Sequence, residues 1–211
     1  RAVSGRRLQR RAVKGDFGTS YSYKMPVSSM LAGKLPVTGL LTGMSFVLIL
    51  AFSIPLGIFT ARHAGGRLDR AMTAVNQALM AIPAFVTGIL LTYVFGLVLR
   101  WFVPGNYVSP GDNFGASLWY FLFPAVSIAL PRVAMTVKML RSSILSELQK
   151  DYVRTSHSRG NSDRATLYRH VLRNAMGPVV SFLAMTVADI VAGSVVIEQV
   201  FSLPGLVHVF A

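Results

Sequence analysis

Along the chain, apolar and polar positions segregate into long blocks instead of alternating. Charge is absent from Leu35 to Ala61 and from Ala71 to Leu99; apolar residues dominate again from Asn113 to Pro131 and from Asn174 to Ile197, where Asp189 is the one charge. Each block approaches the roughly 20 residues that a helix needs to cross hydrocarbon. Continuous apolarity excludes the period-two pattern of a barrel strand, and lipid leaves helices as the alternative. The pattern predicts an all-α, polytopic membrane protein.

The blocks are punctuated in readable ways. Pro36 suits the first turn of a span over Leu35–Ala61, where a missing N–H costs nothing. Gly39 and Gly43 form a small-xxx-small pair that would admit a neighbouring helix, and Pro55 with Gly57 predicts a kink. Arg62–Arg70 reads as a tight basic turn made by Gly65 and Gly66, with Asp69 helping to cap the next helix. Ala71–Leu99 reads as one tilted span interrupted by Asn76, Gln77 and Pro83. Side-chain amides are costly against lipid, so Asn76 and Gln77 are expected to face a partner helix or a watery path.

After an aromatic-rich loop over 100–112, a span from about Trp119 to about Val137 continues as an amphipathic helix through Met135, Leu140, Ile144 and Leu148. Residues 139–158 are expected to form one helix, broken by Gly160. Asn161 or Ser162 then caps a second, short amphipathic helix carrying Leu167, Tyr168, Val171 and Leu172 on one side. Such a helix suits a groove in another protein or the lipid headgroups. Leu203-Pro204-Gly205 makes a turn after the last span.

Composition agrees: 53% of residues are hydrophobic and 14% charged, with mean hydropathy +0.53, against about 25% charged in soluble domains. The net charge of +13 sits in loops, where retention on the cytoplasmic side explains it better than nucleic acid does. Lys and Arg number nine in 132–173 and three in 62–70, one in 100–113 and none in 198–211. The first two loops are therefore expected in the cytoplasm, which puts the basic segment 1–34 outside despite its eight Lys and Arg. The organisation is thus an extracytoplasmic segment 1–34 and a transmembrane domain 35–211 with a cytoplasmic loop at 150–173. A chain that begins with Arg1 instead of Met reads as a piece of a longer protein.

Several chemistries are excluded. With no cysteine there is no disulfide, thiolate metal site or Cys nucleophile. His63, His157, His170 and His208 lack paired metal-ligand spacing. No phosphate loop, dinucleotide fingerprint, nucleophile elbow or HExxH occurs, so the chain is not expected to be an enzyme or to bind ATP alone. Asp189 stands mid-span, where a carboxylate is expensive unless paired or hydrated. It is expected to face a translocation path or a partner-subunit helix, attracting a cationic substrate group, or to serve as a hydrogen-bonded structural acid near the outer end of a helix.

The runs DYVRTSHSRG (151–160) and RHVLRNAMGPV (169–179) resemble the cytoplasmic loop of binding-protein-dependent ABC transporter permeases of the dipeptide/oligopeptide/nickel group. GDFGTSY at 15–21, KLPVTGLL at 34–41, LPRVAMTVKMLRSSILSELQKDY at 130–152 and VVIEQVFSLPGL at 195–206 extend the resemblance over nearly the whole chain. It implies the type I ABC importer transmembrane fold, of which about five helices are expected here, the family's first and last spans apart. It also implies half of a translocation path for di- or oligopeptides, nickel or metallophores in the cell's inner membrane.

The implied partners are a homologous second permease, two ABC ATPase subunits, an external binding protein and membrane lipids. ATP and Mg are expected in the ATPases and no cofactor in this chain. Arg154, Thr155 and Ser156 take the positions of the superfamily's Glu-Ala-Ala signature, and Gly160 that of its glycine. The ATPase-coupling residues implied are Asp151, Tyr152, Arg154, Thr155, Ser156, Gly160, Leu167, Tyr168 and Arg169, and those expected on the path are Asn76, Gln77 and Asp189. Ser156, His157, Ser158 and Asn161 depart from the group's usual Ala, Arg, Ala and Leu. The competing class, a secondary transporter or channel, would rest on Asp189 alone.

Overall fold

The computed structural model describes residues 34–205, and all regular structure among them is helical. Helix α1 spans Leu35–Arg62. After a turn, α2 covers Arg67–Ala81 and α3 covers Ala84–Val98, the latter ending in a π-helical stretch from Thr92. The long α4 runs over Phe114–Leu148, the short α5 over Asp151–Ser158, and α6 over Asp163–Val200 with π-helical residues at Leu167–Val171. The segment 1–33, with GDFGTSY, and His208 lie outside the described residues.

Three helices, α1, α4 and α6, are long and apolar enough to cross a membrane. The core lies where they meet: Leu41, Ile49, Phe121, Val137, Leu140, Ile144, Val171, Val179 and Ile190 are almost fully buried. Close approach is made by Gly57, where an added Cβ would stand 2.8 Å from Leu140 Cδ2. Gly39 and Gly43, expected to admit a helix, meet nothing within 4 Å among the described residues. Helix α1 also continues unbroken through Pro55.

Several buried hydroxyls are satisfied inside the helices, as an apolar surrounding favours, whereas those of Thr42, Ser53, Thr92 and Ser117 meet no hydrogen-bond partner among the described residues. Ser45, Thr60, Thr136 and Thr186 each donate to the carbonyl four residues earlier, at 2.7–2.9 Å. Ser143 Oγ instead crosses from α4 to donate to the Ala175 carbonyl at 2.8 Å.

Three expectations are corrected. Ala71–Leu99 is not one continuous helix: α2 and α3 meet at 94° around Ile82-Pro83, so this stretch is a broken span or a re-entrant pair. Pro83 lacks an N–H for α2, and Ile82 before it adopts extended backbone, as residues preceding proline tend to. Residues 139–158 are not one helix either, since α4 ends at Leu148 and Lys150 is extended (φ −78°, ψ 151°) before α5. The second loop helix is not a separate short element; it is the first turns of α6.

One end of the bundle is stitched by aromatics and backbone acceptors. Tyr120 Oη donates to the Phe201 carbonyl at 2.7 Å and accepts from Gly105 N at 3.1 Å, joining loop 99–113 to the Leu-Pro-Gly turn. Phe102 lies among Tyr120, Phe123 and Phe201. Nearby, the fully buried Glu198 accepts from Thr38 Oγ1 at 2.6 Å, and a Cβ on Gly205 would overlap its carboxylate.

Candidate functional site

At the opposite end the loop between α4 and α6 is built from local chemistry. Asp151 sits in the first turn of α5, favourably placed against the helix dipole. Glu147 accepts from Lys150 Nζ at 2.5 Å and from Tyr152 Oη at 2.8 Å, which carries the chain across the break after α4. The Glu147 hydrogen bond pushes the Lys150 ammonium up, and burial pushes the Tyr152 phenol up. Gly160 ends the segment after α5 with φ +82°, a left-handed conformation that glycine adopts without strain. Ser162 then caps α6, its Oγ accepting from Ala165 N at 3.3 Å.

Three of the residues that depart from the group's usual pattern give the loop its shape. The Ser156 and Thr166 hydroxyls, both buried, lie 2.9 Å apart, and Asn161 Nδ2 donates to Ser156 Oγ at 3.1 Å. His157 Nδ1 stands 3.6 Å from Asp163 Oδ1. Together these contacts fold α5 back on the start of α6.

The residues expected to meet an ATPase fall into two sets. Asp151, Arg154, Thr155, Gly160, Tyr168 and Arg169 are exposed. Ser156 and Leu167 are buried, like Val153 and Val171, and Tyr152 is half-buried, so these hold the loop to the bundle. The expected row of Leu167, Tyr168, Val171 and Leu172 therefore divides, with Leu167 and Val171 inward and Tyr168 outward.

The three residues expected on a path also separate. Asn76 is buried beside an apolar cavity of about 280 Å³ between α1, α2 and α4, while Gln77 is exposed. Asp189 lies elsewhere, its Oδ2 accepting from Arg132 Nη1 at 2.9 Å. The two side chains, 27% and 57% exposed for Arg132 and Asp189, share a cavity of about 220 Å³ with Met80, Pro83 and Gly193.

A second, larger cavity of about 620 Å³ adjoins it through Met80 and Met135 and runs past Lys138, Ser142 and Ser146 to Glu147. Sequence reasoning missed this face. Its signal was present: Lys138, Ser142 and Ser146 recur at helical spacing opposite Leu140 and Ile144. Met135, read with those two, lies on the cavity wall instead.

Asp69 was expected only to cap. It accepts from Gly65 N at 2.9 Å, but its carboxylate is also gripped by Arg141 through two bonds, Nε to Oδ1 at 2.7 Å and Nη2 to Oδ2 at 2.6 Å. Among the described residues no group of three metal-ligating side chains comes together.

Apolar crossing helices, a polar groove along one of them and a built loop at one end define a polytopic helical membrane protein. The family described as the binding-protein-dependent transport system inner membrane component matches residues 53–211, and the chain belongs to that family. It is 35% identical over 201 residues to the oligopeptide transport system permease protein AppB of Bacillus subtilis, covering 94% of this chain and 64% of that protein. It is 32% identical over 197 residues to the oligopeptide transport system permease protein OppB of Salmonella typhimurium, covering 93% of this chain and 62% of that one. A probable peptide ABC transporter permease of Sinorhizobium fredii is 31% identical over 196 residues, covering 92% and 62%. The chain thus spans less than two thirds of the length of these relatives.

Proposed function

We propose that this chain is a permease subunit of an ATP-driven peptide importer in the cytoplasmic (inner) membrane, forming half of the translocation path. Residues 35–211 are the transmembrane domain, and segment 1–34 is extracytoplasmic. The relatives are oligopeptide and peptide permeases, which favours peptides over nickel or metallophores as cargo. The complete transporter contains a homologous second permease, two ATPases that bind ATP and Mg, and an external binding protein.

Coupling runs through 150–173. The observation that carries this reading is the loop's construction: an inner set (Val153, Ser156, Thr166, Leu167, Val171) is fixed to the bundle, while Arg154, Tyr168 and Arg169 are left exposed. A rigidly held loop with an exposed basic and aromatic face can dock in a partner's groove and pass its motion to α4 and α6.

The experiment is co-purification with the candidate ATPases. Arg154→Glu combined with Tyr168→Ala and Arg169→Glu is expected to lose at least tenfold in ATPase retention while the permease stays folded. Undiminished retention would mean that the loop is not the dock.

A further inference from the structure

Arg132 and Asp189 are the charged pair on the groove wall, and their depth is set by the helix. About 20 Å of helix separates Trp119, at the aromatic end of α4, from Arg132 at ~1.5 Å per residue. About 14 Å more leads to Arg141 at the other end. Arg132 thus lies near the middle of a hydrocarbon layer roughly 30 Å thick, where a charged side chain facing lipid costs about 2.5–3.5 kcal/mol or more.

The pair is nonetheless accessible, 27% and 57%, and is joined by one hydrogen bond between one guanidinium nitrogen and one carboxylate oxygen. A pair built only to hold α4 to α6 would be buried and two-pronged, as Asp69–Arg141 is. The wall therefore meets water or a polar partner. The polar line Lys138, Ser142, Ser146 and Glu147 carries the same groove onward to the loop end of the molecule.

Two opposite charges set in a cavity otherwise lined by Met80, Pro83, Ile128, Met135 and Ile190 match a zwitterion with apolar side chains. We propose that Arg132 and Asp189 form a mid-membrane subsite for the charged end groups of the transiting peptide, a proposal that rests on the peptide-import reading. Arg132 takes the carboxylate and Asp189 the ammonium, each exchanging its partner on the wall for the peptide. The resting ion pair keeps both charges compensated when no peptide is present.

The test uses the complete transporter in proteoliposomes, with labelled trialanine supplied on its binding protein. Asp189→Asn and Arg132→Gln are each expected to lower uptake at least tenfold, while the complex still assembles and keeps a thermal midpoint within about 3 °C of wild type. Arg132→Lys, which keeps the charge, is expected to retain uptake within threefold. Uptake of both neutral variants within twofold of wild type would overturn the subsite, as would uptake falling together with assembly or thermal stability, the mark of a structural clasp. A wild-type complex that imports no trialanine would overturn the peptide reading and the subsite with it; active wild type beside unaffected variants removes the subsite alone.

Discussion

Arg132 and Arg141 stand on the same helix, and each meets an aspartate from another element, yet the two pairs are built differently. Arg141 grips Asp69 through two hydrogen bonds, and the Asp69 side chain is 5% exposed. Arg132 makes a single bond to Asp189, whose side chain is 57% exposed. Asp69 also receives Gly65 N from the turn that starts α2, so the inner pair locks a turn and two helices together. Asp189 is joined to Arg132 across a cavity wall. The same two residue types make a structural lock where the geometry is closed and an exchangeable contact where it is open.

The largest effect expected from breaking this contrast is on the inner pair. Arg141→Met leaves the buried Asp69 carboxylate uncompensated, which costs about 3–5 kcal/mol. The purified complex should lose much of its thermal stability or fail to assemble, whereas Asp189→Asn, which leaves Arg132 on an open cavity wall, should lower stability less. Equal thermal shifts for the two variants would erase the distinction. Arg141→Lys sharpens it, because an ammonium keeps the charge but not the two-pronged geometry.

Gly57→Ala comes next. It presses α1 against Leu140, the residue before Arg141, with an expected cost of about 1–3 kcal/mol from overpacking. Because Leu140 faces inward and Arg132 lines the groove, thermal stability should fall while the trialanine KM stays unchanged. A raised KM with no loss of stability would show that the groove and the packed face are not independent.

How much of this the sequence disclosed depends on whether the signal was local. The start of α1 at Leu35, the glycine break at Gly160 and the Ser162 cap were legible because each rests on one residue's backbone chemistry. The 94° bend at Pro83 was not, since a charge-free run on both sides of the proline hides a change of direction inside it. The continuity of the loop's second helix with α6 was hidden by the basic residues at 164, 169 and 173, which read as an interruption of the span. The two ion pairs join residues 57 and 72 positions apart, so no spacing rule reaches them. Asp189 alone raised the question of a partner, and only the fold supplies Arg132.

Ser156→Ala is the smallest effect and tests whether the lock at the inner end includes the loop. The substitution restores the group's usual alanine but removes the hydroxyl that Thr166 and Asn161 share. Thr166, 1% exposed, would then lose that contact, at about 1 kcal/mol for a neutral hydrogen bond lost from a buried group. That loss should appear locally, as faster amide exchange over 156–166, with no change in the exchange of α4 around Arg132. If exchange rises along α4 as well, the loop and the groove wall form one cooperative unit, and motion imposed on the loop reaches the mid-membrane pair directly. If it stays confined to the loop, transmission must pass through the elements that touch both regions, chiefly the Ser143–Ala175 bond between α4 and α6 and the packing of Leu167 and Val171.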